Sequence, residues 1–253
     1  MSATARSVTR PAAAPALAGQ TVVVIGGSAG IGLETARHAR AEGAELIVTA
    51  RNAGRLDGVA RELGAGTAAF DATDFGRLRE FFEALPRPVD HVLVTGPGPY
   101  YARLADFDLD EARRDVEAHI FLLTEVARNA VGRVNPGGTL LFMGGTGGRR
   151  TAPGLSLIGA LTAAMPALTR NLALEVAPIR VNLVAAGFVD TPLSATILGD
   201  QLDGRREQLA GSLPIRRVVG PADVAALAVH LMVNTAITGA TLDIDGGQQL
   251  VEQ

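Results

Sequence analysis

The 253-residue chain contains no cysteine and no tryptophan, and its basic residues are all arginine, with no lysine anywhere. Without cysteine there is no disulfide, thiolate nucleophile or Cys-ligated metal, and cysteine usage says nothing of the compartment. Without lysine, a Schiff-base lysine and a P-loop lysine are both excluded. Other proton-bearing side chains are scarce: tyrosine occurs only as Tyr100 and Tyr101, histidine only as His38, His91, His119 and His230. Charge of one sign is lacking too. The 26 acids and 23 bases give a net charge of −3 with no long block of either, which speaks against a nucleic-acid footprint or a polybasic membrane patch. No apolar run reads as membrane-spanning, no His/Asp/Glu cluster has metal-ligand spacing, and there is no internal repeat. The partners this composition suits are a small-molecule substrate and further copies of the chain.

What is present is an apolar chain, 47% hydrophobic and 19% charged, long enough to bury one substantial core. Residues 1–18, rich in Ala and Pro, are expected to be a disordered extension. They contain Arg without acid, as transit segments do, but lack a continuous apolar core; a cytoplasmic location is the default. Residues 19–253 are expected to form one domain. Strands are read at Val22 to Ile25, Glu45 to Ala50, Thr67 to Asp71, His91 to Thr95, Thr139 to Met143, Arg180 to Ala185 and Ala240 to Asp245. Helices are read from Leu33 to Ala41, Arg55 to Leu63, Phe75 to Leu85, Asp110 to Val131, Leu155 to Val176 and Ala222 to Met232, with Pro166 expected to kink or widen its helix. Such alternation implies right-handed crossovers and a doubly wound parallel sheet with helices on both faces, an α/β Rossmann-like fold.

GGSAGIG, Gly26 to Gly32, follows the first strand and opens the first helix. Glycines there let the backbone turn sharply and approach a pyrophosphate, whose charge is held by amides at the helix N-terminus. Gly26, Ser28, Ala29, Gly30, Ile31 and Gly32 are therefore candidate dinucleotide-binding residues. Where a carboxylate would accept the ribose 2′-hydroxyl of NAD, the second strand ends Ala50-Arg51-Asn52. A guanidinium suits a 2′-phosphate, so Arg51 and Asn52 favour NADP(H), the alternative being that Arg51 is a solvated loop residue.

The glycine spacing resembles the short-chain dehydrogenase/reductase family. So do FDATD at Asp71, APIRVNLVAAG (Ala177 to Gly187), FVDTP (Phe188 to Pro192) and ITGATLDIDGG (Ile237 to Gly247), which extend the likeness over nearly the whole chain. The resemblance implies adenine contacts for Asp71 and Ala72, cofactor contacts for Thr95, Gly96 and Gly187, and nicotinamide contacts for Val189 and Thr191. It also implies a dimer or tetramer built through the helices around Glu117 and Leu168 and the terminal strand.

The family reduces carbonyls with a Tyr whose pKa is lowered by a Lys, and a Ser that orients the carbonyl. Counting back from LTRNLALEVAPIRVN puts these positions on Ile158, Thr162 and Gly145, and the family's helix Asn on Glu117. None of the four family residues is present. Candidates for a substitute proton donor are Glu117, His119, Tyr100 and Thr146, each with a plain alternative. The tyrosines read equally as a mobile aromatic loop pair, Glu117 and His119 as a charged surface at a subunit interface, and at most one of those two can face a pocket. Arg149 and Arg150 in GGTGGRRTAPG either hold an anionic substrate or form an exposed pair on a glycine loop.

Three functions are therefore in play. The first is an NADP(H)-dependent oxidoreductase acting on a small, anionic carbonyl or hydroxyl compound without the usual Tyr/Lys pair. The others are a non-catalytic NADP(H)-binding sensor or inactive partner subunit, and a non-redox enzyme on the same scaffold.

Overall fold

The computed structural model describes residues 15–96, 98–149 and 151–251. Seven strands, β1 Thr21–Ile25, β2 Glu45–Ala50, β3 Gly66–Ala69, β4 Val89–Val94, β5 Val134–Gly145, β6 Arg180–Ala186 and β7 Thr241–Ile244, form one sheet in the order β3-β2-β1-β4-β5-β6-β7. Every pairing is parallel. The helices between them are α1 Gly30–Ala41, α2 Ala53–Leu63, α3 Phe75–Glu83, α4 Leu109–Val116, α5 Leu122–Ala130, α6 Ser156–Glu175, α7 Pro192–Leu198, α8 Leu202–Ser212 and α9 Pro221–Val233. The doubly wound sheet expected from the sequence is present.

The alternation of side chains along a strand divides the core into two layers. On one face Val23, Ile25, Val92, Val94, Leu140 and Phe142 pack against α3, α5 and α6 through Leu78, Phe82, Val126, Met165 and Leu172. On the other, Val22, Val24, Leu46, Val48, Leu93 and Leu141 meet Ala36 and Ala39 of α1, Leu56 and Val59 of α2, and Val224 and Ala228 of α9. At roughly 25 cal/mol per Å² of apolar surface, such two-sided burial is the main stabilising contribution. The buried Arg180 of β6 points its guanidinium at the C-terminal end of α9, donating to the carbonyls of Leu231 at 2.8 Å, Met232 at 2.7 Å and Asn234 at 3.0 Å. A cation there satisfies orphan carbonyls and opposes the negative end of the helix dipole, although burial lowers its pKa.

Several expectations need correction. Residues 1–14, which make up most of the expected N-terminal extension, Pro97, Arg150 and residues 252–253 lie outside the described residues. Residues 15–18, however, belong to the domain: Leu17 is fully buried, and its amide donates to the Glu42 carbonyl at 2.9 Å. α6, with 20 residues, is long and apolar enough to cross a membrane, but it lies along the sheet with Met165, Thr169 and Leu172 buried. It runs unbroken through Pro166. The widening occurs elsewhere, where a π-helical turn, Glu117–Phe121, joins α4 to α5 and so makes the expected long helix continuous.

Candidate functional site

A cleft of about 770 Å³ opens at the carboxyl ends of β1, β2 and β4, beside the point where the strand order reverses and where ligands bind in such sheets. Its deep wall is the glycine loop. Gly26 has φ +90°, and a Cβ there would lie 2.2 Å from Thr95 Oγ1; one on Gly32 would lie 2.4 Å from the Gly26 carbonyl oxygen. The chain can therefore wind this tightly only with glycine. The cap residue of α1, Ala29, has no side-chain hydrogen bond to the first turn, and that turn carries no acid. Its amides are left for an anion, assisted by the helix dipole.

Of the residues expected to hold a cofactor, Gly26, Ser28, Ala29, Arg51, Asn52, Asp71, Ala72, Thr95 and Gly96 line this cleft. The Asn52 side chain caps α2 by accepting from the Arg55 amide at 2.9 Å. One oxygen of Asp71 accepts from the amide and hydroxyl of Thr73 at 3.0 and 2.8 Å, which fixes the loop after β3. Arg51 makes no side-chain hydrogen bond or ion pair among the described residues, and neither does the guanidinium of Arg55, a second lining residue that the sequence reading overlooked.

Gly30, Ile31, Gly32, Gly187, Val189 and Thr191 support the cleft without lining it. Gly187 sits so close to Asp245 and Gln248 that a Cβ would come within 2.6 Å of each. Val189 is buried and bridges to Val219, while Thr191 caps α7 through a reciprocal pair of bonds with Ser194. The start of α7 closes the cleft from above: Pro192, Leu193 and Thr196 line it, and Leu193 rests against Gly98 so closely that a Cβ there would be 2.8 Å from Cδ1.

The family model described as enoyl-(acyl carrier protein) reductase matches residues 26–249. The chain belongs to the short-chain dehydrogenase/reductase family. It is 28% identical over 92% of its length, and 98% of the relative's, to a short-chain dehydrogenase/reductase of Stachybotrys chlorohalonatus. To the human 3-oxoacyl-[acyl-carrier-protein] reductase it is 30% identical, covering 90% of this chain and 97% of that one. Among solved structures, BdcA in complex with NADPH superposes with a TM-score of 0.82 at 26% identity, over 91% of this chain and 95% of that one. These likenesses place the chain among the family's oxidoreductases, on a scaffold that binds a nicotinamide cofactor.

At the positions where the family resemblance puts its acid chemistry, the structure shows side chains without a titratable group, with Gly145 and Thr162 bordering a small cavity. Ile158 and Thr162 are both buried on α6, and the Thr162 hydroxyl donates to the Ile158 carbonyl at 2.8 Å. Gly145 ends β5, and a Cβ there would touch Thr162 Cγ2 at 3.5 Å; at Gly148 it would lie 2.7 Å from the Ala163 amide nitrogen. Thr146 is buried, its amide bonded to the Ala186 carbonyl. Arg149 is not free to hold an anion. Its guanidinium makes a two-pronged ion pair with Asp243 and reaches Gln249, and it lines a separate cavity of about 210 Å³. Arg150 lies outside the described residues.

The other candidates separate clearly. Tyr100 lines the cleft, but its hydroxyl accepts from the Asp108 amide at 2.7 Å and so is tied to the start of α4. Glu117 lines the cleft and His119 does not. His119 is paired instead with Asp115, missed in the sequence although a spacing of four puts both on one helix face: Nδ1 lies 3.1 Å from Asp115 Oδ1 and 3.0 Å from its backbone carbonyl oxygen. Burial lowers the imidazole pKa, but the hydrogen bond and charge of Asp115 outweigh it and leave the pKa raised. Among the described residues no cluster could hold a metal ion.

Proposed function

We propose that the chain is an NADP(H)-dependent oxidoreductase acting on a small molecule without the family's Tyr/Lys pair. The observation that carries this reading is the cleft itself: one cavity joins uncapped α1 amides and two uncommitted guanidiniums to a wall of carboxylates beside α4. In that reading Ser28 and Ala29 hold the pyrophosphate through backbone amides. Arg51 and Arg55 take the 2′-phosphate, a group that guanidinium matches with paired hydrogen bonds, and Asp71 and Ala72 border the adenine. That BdcA was solved in complex with NADPH supports a nicotinamide dinucleotide as the ligand. The bound cofactor supplies hydride chemistry, and the protein's part is to position and to exclude water.

The test is Arg51→Asp. Replacing a cation by an anion beside a phosphate is expected to weaken NADPH by about a hundredfold, and NADH by about threefold or less, read by quenching of cofactor fluorescence. Equal weakening of both would reject the assignment. A second reading, a non-catalytic NADP(H)-binding sensor or partner subunit, is favoured by Gly145, Ile158 and Thr162 at the positions of the family's reactive residues. Label transfer from NADPH to a substrate panel decides between the two. Assembly as a dimer or tetramer is part of the proposal, supported by exposed Phe121 and Leu174 on the helices the family uses.

A further inference from the structure

We infer that the substrate end of the cleft takes a cationic nitrogen, an iminium or a protonated amine, and this rests on the reading of the chain as a nicotinamide-dependent oxidoreductase. Free cations and free anions lie at different ends of the cavity, although Asp71, its Oδ1 engaged by Thr73, also lines the β2–β3 end. The uncommitted guanidiniums, Arg51 and Arg55, stand at the β2 end. At the α4 end the walls carry Asp115 and Glu117. The guanidinium there, Arg114, is consumed by Glu111 at 2.7 Å. Glu117 has no side-chain partner among the described residues.

Asp115 is the more telling of the two. Its side chain is 3% exposed. Oδ1 is taken by His119, but Oδ2 is buried and accepts no hydrogen bond. A buried carboxylate oxygen left without a donor is costly, and an N–H group arriving in the cleft would remove that cost. His119 occupies Oδ1 of Asp115, whereas Glu117, with no cation beside it among the described residues, supplies the uncompensated negative charge. Tyr101 is half exposed, and partial desolvation and then the charge of Asp115 raise its pKa, which keeps it neutral. A carboxylate or phosphate substrate would meet like charge here at short range.

A cationic nitrogen also accounts for the residues at 145, 158 and 162. When an iminium is reduced, its carbon gains hydride from the reduced dinucleotide, a C–H bond forms, and the C=N π pair returns to nitrogen. The substrate is reduced, the dinucleotide is oxidised, and no proton has to be delivered. A ketone would need one on oxygen, which is the task of the family's Tyr and Lys. Asp115 and Glu117 would orient and hold the cation, with apolar Leu193 and Pro99 on the facing walls.

The experiment is calorimetric titration of the full chain near neutral pH with three ligands of one shape: benzylamine, benzyl alcohol and benzoate. Benzylamine, protonated at that pH, is expected to bind at least about tenfold more tightly than the alcohol, and benzoate most weakly, as charge-assisted hydrogen bonds to carboxylate predict. Glu117→Gln, at a half-buried position that tolerates the change, and Asp115→Asn are each expected to cut the amine preference by about tenfold while leaving NADPH affinity unchanged. Equal or tighter binding of alcohol or benzoate, no binding of amine, or a preference that survives both substitutions overturns the inference. The amine preference without any NADPH binding would leave the cation site standing and sink the cofactor reading instead. Faster NADPH consumption with a cyclic imine than with the ketone of the same ring would add the chemical step to the binding result.

Discussion

The two ends of the cleft are built from different materials. At the β1–β2 end, backbone conformation makes the site: positive-φ glycine, free helix amides, a cap and a turn, with guanidiniums added at the rim. At the α4 end, side chains decide everything: Glu111, Arg114, Asp115 and Glu117 line it, while Gly145 and Thr162, where the family resemblance puts reactive groups, border a separate small cavity. Backbone-made sites depend on glycine and hydrogen-bond geometry, which leave few substitutes. Side-chain-made sites can be emptied or rebuilt while the scaffold stays as it is.

The comparison can be broken most sharply by rebuilding the emptied positions. Ile158→Tyr with Thr162→Lys restores the family pair in name, but it places a long cation where Thr162 packs against Gly145 and Gly147. We expect a loss of about 3 kcal/mol or more from an unpaired buried charge, seen as a lower Tm and no new ketone reduction. Ketone turnover in the double variant would show instead that two side chains are all that separates this site from its relatives.

Gly26→Ala attacks the other end. The added methyl meets Thr95 Oγ1 and the Thr95 carbonyl at φ +90°, so a cost of about 1–3 kcal/mol is expected, with NADPH affinity falling more than the amine affinity of the far end. Equal losses at both ends would mean that the two ends are one cooperative unit.

The Asp115–His119 pair gives a pH signature. Because the folded-state pKa of His119 is raised, its protonation contributes stability fully present below the unfolded value of about 6.5 and lost as pH rises through the higher folded value. The Tm gap between the protein and His119→Gln is therefore expected to be widest in acid and to close above neutrality. A gap that widens with pH would reverse the sign and reject the pairing. The smallest effect belongs to Asn52→Ala, which removes the cap of α2 and should cost about 1 kcal/mol with little change in amine binding.

The cofactor end was legible in the sequence because its signals are local. A β-branched run, a glycine string and a helical period fall in one continuous stretch, Val22 to Ala41, and the strand Glu45–Ala50 was read with its observed bounds. The substrate end was not, for two physical reasons. The π-helical turn at Glu117–Phe121 widens the helix where a regular period was assumed, and Asp115 and Glu117, two apart, both line the cleft. α7 and α8 bury only Ser194 and Leu209 respectively, so neither leaves an apolar stripe, and no helix was read between Thr191 and Arg217. Arg149 looked like an anion receptor because its partner, Asp243, is 94 residues away in the chain.

That last contact bears on how the protein is handled. Gln249 and Asp243 hold the Arg149 turn from the C-terminal side, whereas Pro15 to Ala18 pack against the start of β2, at the edge of the sheet opposite the cleft. A fusion partner, dye or immobilising tether attached beyond Gln249 would pull on the turn that follows β5. One attached ahead of Pro15 would leave the ligand-facing edge open to solvent.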